Sequence, residues 1–270
     1  EFLNAKAASD PLGLYNVSMG SDARGGITQS GVSGSFTYAP KMNMADKPVN
    51  IVSWYDSIRF ANWLNNGQGT GDTETGAYTL LGGTPTPSNG NSITRNVGAT
   101  WFLTSEDEWY KSAYHQPAAQ GGDSDDYWLY PTGSNSAPTV ATADSVGNIS
   151  NPGTNVANYL LGADWNAQNG NLTTVGSAGP FSESFYSTSD QGGNVSEWNE
   201  ALISESLRGL RGGAFNFVPD HLQSPFRLAN NPASEFLNIG FRVATVPEPS
   251  TAVLGIVGCA LMWVLRRRFK

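Results

Sequence analysis

Two stretches of the sequence carry a helical pattern of apolar positions. In the first, Trp54, Ile58 and Ala61 recur at three- to four-residue spacing, and the pattern continues to an Asn-Asn-Gly sequence that favours a helix end. Ser53 stands before the pattern as an N-cap, and Asp56 stands at the third helical position, which completes a capping box. The pattern predicts a helix whose aromatic side chains belong to the core.

The second helix is predicted by a similar combination of signals. A short apolar strand over residues 101–103 is followed by Ser105 and Glu108, the pattern of a second capping box. Trp109 then faces inward. His115 follows at the helix end, where a cation interacts favourably with the helix dipole, and we assign it a structural role.

Most of the remaining sequence is rich in turn-forming residues. Residues 1–9 are predicted to end a helix before Pro11. Residues 67–100 form a long polar insertion, in which residues 75–81 are predicted to form one strand. Residues 117–155 are again rich in loop signals, and their acidic side chains are expected to be solvated.

Composition supports a single loop-rich domain of the α+β class. Glycine (31 residues) and tryptophan (8 residues) are abundant, and only 14% of residues are charged, so the core is expected to rely on aromatic side chains. The net charge of −8 and the lack of a basic stripe argue against nucleic acid as a partner. One cysteine excludes an intrachain disulfide, and two histidines exclude a multi-histidine metal centre. We therefore expect a few helices packed on short antiparallel strands.

The first residues read as the interior of a helix and carry no Met or signal peptide. We therefore expect the natural protein to extend before Glu1, and any export signal to lie in that preceding segment.

Residues 189–215 are the most distinctive stretch for chemistry. Asp190, Asn194 and Glu197 lie within eight residues of one another, beside a Gly-Gly turn. Carboxylates combined with carbonyls of a glycine-rich bend are ligands that Ca²⁺ prefers. On spacing alone, a surface turn with solvated acids explains the same residues equally well.

Several motifs resemble the formylglycine-generating enzyme (sulfatase-modifying factor) family. They are GGNVSEW at 192–198, LRGGAF at 210–215, PVNIVSWYD at 48–56, LTSEDEW at 103–109 and NIGFRV at 238–243. They occur in the order of that family, and the likeness spans residues 1–245. The resemblance implies an α+β fold related to C-type lectin-like domains.

The resemblance also implies two calcium sites. The implied ligands are Asp190, Gly193, Val195 and Glu197 for the first site, and Asn158, Tyr159, Asn169 and Asn171 for the second. In the second site, Asn169 stands where the family has Asp, and the loss of a carboxylate weakens a Ca²⁺ site.

The oxidases of this family use two cysteines to bind copper and activate O₂. Those cysteines fall near Phe217 and Leu222 in this chain, and residues 215–239 contain no cysteine. A copper(I) site needs thiolates, so we expect no copper and assign no catalytic residue. Residues of the substrate groove remain as candidate binding residues: His221, Arg227, Asn230 and Asn231.

Residues 246–270 resemble a PEP-CTERM sorting signal. They contain Pro247, Glu248 and Pro249, then an apolar run over residues 251–265, then Arg266, Arg267 and Arg268. The resemblance implies a transient anchor in the inner membrane of a Gram-negative bacterium, cut by an exosortase-type processing enzyme that releases the domain to the cell surface or extracellular matrix. A permanent single-span anchor is the alternative.

Three classes of function are compatible with the sequence. No G-x-S-x-G elbow or Walker loop is present, which removes two common enzyme classes. The first class is a non-enzymatic surface module that binds a peptide, a glycan or a matrix component. The second is a catalyst of altered chemistry, and the third is a purely structural envelope or matrix protein. We favour the first.

Overall fold

The computed structural model describes residues 1–246, which contain four short helices and ten short strands. The sorting motif, the apolar run and the arginine cluster of the C-terminus lie outside the described residues. The helices are α1 (Phe2–Lys6), α2 (Ser18–Ser21), α3 (Trp54–Asn65) and α4 (Glu106–Tyr114). The strands are β1 (Ile27–Ser30), β2 (Thr37–Pro40), β3 (Trp101–Leu103), β4 (Thr139–Val140), β5 (Val156–Ala157), β6 (Ser196–Ser204), β7 (Leu207–Arg211), β8 (Leu228–Asn230), β9 (Ile239–Phe241) and β10 (Val243–Thr245).

The largest sheet has four strands in the order β8-β7-β6-β9. The β6 strand pairs antiparallel with β7 and parallel with β9, so the closing segment of the domain lies beside the strand that follows the glycine-rich bend. The pairs β1-β2 and β3-β10 are antiparallel, and β4-β5 is parallel. The α+β class with little regular structure is therefore confirmed.

Both predicted helices and their caps are confirmed. In α3, the Ser53 side chain accepts a hydrogen bond from the Asp56 amide, and the Asp56 carboxylate accepts one from the Ser53 amide. In α4, Ser105 and Glu108 make the same reciprocal pair. Each helix thus begins where its own sequence satisfies the free amides of the first turn.

The main core lies between α3 and the four-stranded sheet. Trp54 of α3 and Trp198 of β6 are fully buried in it, with Leu103 of β3. The indole of Trp54 donates to the Asn199 carbonyl and that of Trp198 to the Val52 carbonyl. These two bonds fix α3 across the centre of the sheet, and the prediction that the α3 aromatics are core residues is confirmed.

The strand predicted over residues 75–81 is wrong. The segment is held instead by the Asn62 side chain of α3, which accepts from the Tyr78 amide at 2.7 Å and donates to the Tyr78 carbonyl at 3.0 Å. A side chain therefore satisfies the polar groups that a neighbouring strand would otherwise bind.

Buried charges join the insertion to the body of the domain. Arg59 of α3 has no exposed side-chain surface and pairs with Glu74, while it also donates to the carbonyls of Thr84 and Pro85. Along residues 1–246, no helix is long and apolar enough to cross a membrane.

Candidate functional site

The glycine-rich bend leads directly into β6. Asp190, Gly193 and Asn194 all have positive φ angles, of 57°, 83° and 61°. At Gly193 a Cβ atom would lie 2.1 Å from the Asn158 carbonyl oxygen, so the backbone passes too close for any side chain. This close approach brings the two predicted calcium ligand sets against each other.

Glu197 is tightly bound on β6. Its Oε2 accepts from the Trp109 indole at 2.6 Å and from Arg242 Nε at 2.5 Å, and its Oε1 accepts from Arg242 Nη2 at 2.6 Å. Although burial lowers the pKa of Arg242, attraction to Glu197 and Asp190 raises it above the usual value. Arg242 is therefore held in its charged form, and its bonds to Glu197 join the bend to the closing NIGFRV motif.

Asp190 lies beside the same guanidinium. Its Oδ2 accepts from the Gly176 amide at 2.7 Å, and Arg242 also donates to the neighbouring Ser189 carbonyl at 3.0 Å. Burial raises the pKa of Asp190 to about 6, and attraction to Arg242 only partly opposes this. A carboxylate with a raised pKa is one that a further cation would stabilise.

A calcium ion at this bend would therefore depend on Asp190 and the carbonyls of Gly193 and Val195. Glu197 is shared with Arg242 and is the less available of the two acids. Within residues 1–246 no group of three or more His, Cys, Asp or Glu side chains is placed to hold a metal ion. Such a site must rely on carbonyl and amide oxygens, which Ca²⁺ accepts readily.

The second predicted set converges only in part. Asn158 Nδ2 lies 2.8 Å from the Asn171 carbonyl, 3.2 Å from Thr173 Oγ1 and 3.4 Å from Asn194 Oδ1. Asn158 Oδ1 is buried without a hydrogen-bond partner. The amide nitrogen of Asn158 thus occupies the point at which these three oxygens converge.

The other two members of that set lie differently. The Asn169 side chain is exposed, and its carbonyl accepts from Arg24 at 2.9 Å. The Tyr159 carbonyl accepts from the Gly162 amide at 3.1 Å. The structure thus brings Asn158 and Asn171 together, whereas a guanidinium lies against the backbone of Asn169.

Asn194 connects the two sets. Its backbone N–H donates to the backbone carbonyl of Asn158. Its side chain makes a pair of hydrogen bonds with the backbone of Thr173, at 3.0 and 3.1 Å. The sequence marked Asn194 as an oxygen donor, but it gave no signal for Thr173 or Gly176. The contacts of Thr173 and Gly176 join residues 21 and 14 positions apart.

The predicted groove contains an aromatic sandwich around His221. The His221 ring lies 4.7 Å from the Phe217 ring and 4.2 Å from the Phe226 ring, and its Nδ1 is buried without a hydrogen-bond partner. Leu222 is fully buried against Tyr130 and Tyr159. Phe217 and Leu222, near which the resemblance places the family cysteines, are therefore packed apolar side chains.

Two arginines and one acid lie next to this sandwich. Arg227 pairs with Glu106 at the start of α4, and its side chain is 43% exposed. Arg211 pairs with the same carboxylate at 2.5 Å and donates to the carbonyls of Ser224 and Phe226. Arg211 is thus a structural residue, and Arg227 is the more accessible cation. Sequence reasoning missed Arg211 and Glu106 as members of the groove, although both fall within the family-like motifs.

Asn230 and Asn231 serve a turn after β8. Asn230 Oδ1 accepts from the Asn231 amide and from the Ser234 hydroxyl, and Asn231 Oδ1 accepts from the Ala233 amide. Within the described residues, neither side chain is hydrogen-bonded to His221 or Arg227. The geometry places these asparagines in a local turn.

Comparison with known proteins places the chain in a family. Residues 15–246 match the sulfatase-modifying factor enzyme 1-like domain. The chain belongs to this FGE-sulfatase domain family. A comparison with proteins of curated function gave no match.

The solved structures that are similar to the chain include those of three proteins. Treponema denticola variable protein 1 has 18% identity and a TM-score of 0.46, covering 76% of this chain and 73% of that one. CarF has 23% identity and a TM-score of 0.49, covering 75% and 69%. PvdO from Pseudomonas aeruginosa has 18% identity and a TM-score of 0.40, covering 81% and 68%.

Proposed function

We propose that this FGE-sulfatase domain is an exported, non-enzymatic binding module that acts at the cell surface or in the extracellular matrix. The observation that carries the proposal is the aromatic sandwich of Phe217, His221 and Phe226. Oxidases of the family need two thiolates in this segment, whereas this chain packs rings there. Apolar rings cannot bind copper(I), but they favour contact with a ligand.

The ligand proposed for this groove is a peptide or a glycan. His221 and Phe226 offer a partly apolar surface, and Arg227 adds an accessible charge beside it. A groove with apolar walls and a few polar groups is typical of a ligand site.

The test is a peptide and glycan array, probed with the wild-type protein and with Arg227→Ala and His221→Ala. We expect a specific ligand whose binding is weakened at least tenfold in both variants. Lys111→Ala, an exposed cation on α4, serves as the matched control and should bind as the wild type does. The proposal fails if no ligand is found, which would favour a structural role, or if both groove variants bind normally.

The non-enzymatic part has its own test. The protein is incubated with copper, O₂ and a cysteine-containing sulfatase peptide, and the peptide mass is followed. We expect no formylglycine. A copper-dependent aldehyde product would show that oxidase chemistry persists.

We further propose that Ca²⁺ stabilises the bend, with Asp190 and the carbonyls of Gly193 and Val195 as its main ligands and Glu197 shared with Arg242. The raised pKa of Asp190 supports this, because a bound cation would relieve the burial of its charge. Binding to the native state alone raises stability by mass action.

The C-terminal signal completes the proposal. Residues 246–270 would hold the exported protein in the inner membrane until an exosortase-type enzyme cuts near Pro247-Glu248-Pro249. Mass spectrometry of protein recovered from the envelope and medium of the native host tests this. Mature extracellular protein that retains Cys259 and the arginine cluster would contradict it.

A further inference from the structure

A row of aromatic rings lies at the C-terminal end of α4, at the opposite end of that helix from Glu106. We call it the aromatic platform and define it as Tyr127, His115, Tyr186 and Phe185. Successive ring centroids are 5.1, 6.0 and 5.2 Å apart. The Tyr186 and Phe185 side chains are 42% and 39% exposed.

His115 and Tyr186 form one flat surface. Their ring planes differ by 13°, and His115 Nδ1 is hydrogen-bonded to the Tyr186 hydroxyl at 2.6 Å. The centroid separation of 6.0 Å is nearly as long as this hydrogen bond, the C–O bond of Tyr186 and the two ring radii laid end to end. The rings therefore lie side by side in almost one plane, and together they present a face about twice as long as one ring.

The turn that carries Tyr186 is firmly held. The Ser187 amide donates to the Ser184 carbonyl, and the Ser184 amide donates to the Thr188 carbonyl. Ser187 has a positive φ of 57°. Phe185 and Tyr186 thus occupy the two central positions of a tight turn, where polar residues and glycine predominate.

Two aromatic side chains that stay exposed at the tip of a turn do not contribute the folding free energy that their burial would give. Rings exposed together at such a place indicate a contact surface. Within the platform the His115–Tyr186 pair is flat, whereas the Tyr127 and Phe185 rings stand at 63° and 80° to their neighbours. The flat pair suits a ligand ring that is itself flat.

We propose that the aromatic platform binds a neutral polysaccharide, with the apolar face of a pyranose ring stacked on His115 and Tyr186. Pyranose rings combine an apolar face of C–H groups with hydroxyls at the edge. Tyrosine meets both needs, since its ring packs and its hydroxyl forms hydrogen bonds. The flatness of the paired rings is the feature that matches a sugar ring in size and shape.

The local charge selects among polysaccharides. Asp125 and Asp126 precede Tyr127 and are exposed, and Glu183 precedes the turn. Lys111, one helical turn before His115, is the cation on this part of α4. The acids outnumber it, and the whole chain carries a charge of −8, so an acidic polymer would be repelled.

The test is affinity electrophoresis of the full chain in gels that contain a neutral glucan, a neutral xylan or an acidic alginate. We expect retardation by at least one neutral polymer and none by alginate. Tyr186→Ala should weaken retention at least tenfold, whereas Tyr186→Phe, which keeps the ring, should lose much less.

Two control variants show whether retention depends on the aromatic platform itself. Phe236→Ala removes another exposed aromatic ring, 48% exposed, and should bind as the wild type does. His221→Ala tests the groove of the proposed function: a loss of retention in this variant without a loss in Tyr186→Ala would place the polysaccharide in that groove and overturn the inference. The inference is overturned if neither neutral polymer retards the protein, if Tyr186→Ala is retained normally, or if the protein binds apolar peptides through Tyr186 and no polysaccharide.

Discussion

Asp56 offers the sharpest test of the electrostatics of the fold. It lies at the third position of α3, buried, and its carboxylate accepts hydrogen bonds from both the amide and the hydroxyl of Ser53. Burial raises its pKa from 3.8 to about 7, which outweighs the opposing effect of the hydrogen bonds from Ser53. The charged form is therefore disfavoured in the folded protein, although its hydrogen bonds are satisfied.

The magnitude follows from linkage. A pKa change from 3.8 to about 7 corresponds to about 4 kcal/mol of unfolding free energy, at about 1.4 kcal/mol for each tenfold change in proton affinity. Because the folded state binds the proton more tightly, the contribution of Asp56 is most favourable below pH 4 and is lost as pH rises to 7. Above pH 7 the ionised carboxylate carries its full desolvation cost.

The variant Asp56→Asn removes this titration while its amide oxygen still accepts from Ser53. We expect Asp56→Asn to be more stable than the wild type at pH 8, by up to about 4 kcal/mol, and to have no advantage at pH 4. Urea unfolding at half-unit pH steps measures the difference. Asp46→Asn, an exposed acid, is the control and should show no such trend. A difference between wild type and Asp56→Asn that does not change from pH 4 to pH 8 would refute the reasoning.

Further outcomes are expected at the bend and on the insertion. Melting temperature should rise with Ca²⁺ at neutral pH, and Asp190→Asn should remove most of that rise, whereas a rise of equal size in the variant would place the ion elsewhere. Arg242→Ala should destabilise the domain by about 3–5 kcal/mol, because it leaves Glu197 buried without its partner. If the added substitution Glu197→Gln restores stability, that cause is confirmed. A loss of stability below about 1 kcal/mol in Arg242→Ala would contradict it. Asn62→Ala should increase amide exchange at Tyr78 before it affects the centre of the sheet, which mass-resolved hydrogen exchange can follow.

The helices and caps could be predicted because their signals are local. Ser53 with Asp56, and Ser105 with Glu108, each complete a reciprocal bond within one helical turn. Such pairs form from neighbouring residues, and no distant contact is needed to create them.

The strands were harder to predict because their partners are distant in sequence. The β6 strand pairs with β9 about forty residues later, and nothing in its own residues identifies that partner. Residues 75–81 have the composition of a strand, yet Asn62 binds their backbone and no strand lies beside them. Local composition cannot reveal which side chain will satisfy a backbone group.

The candidate site likewise combines features with local sequence signals and contacts between residues distant in sequence. The sequence identified Asp190 and Glu197 as acids on one bend, and in the structure both interact with Arg242. The sequence gave no sign of this arginine, since its ion pair with Glu197 spans forty-five residues. The groove likewise depends on Glu106, whose two arginine partners lie 105 and 121 positions away.

The buried pairing of Arg59 with Glu74 constrains how this protein can change over evolution. The Arg59 guanidinium receives its counter-charge and two carbonyl acceptors from residues 74–85 of the insertion. A relative that shortened this insertion would leave a cation in the core without partners, a loss that few domains tolerate. Length of the insertion and identity of position 59 should therefore change together among relatives, with an apolar residue replacing the arginine wherever the insertion is short.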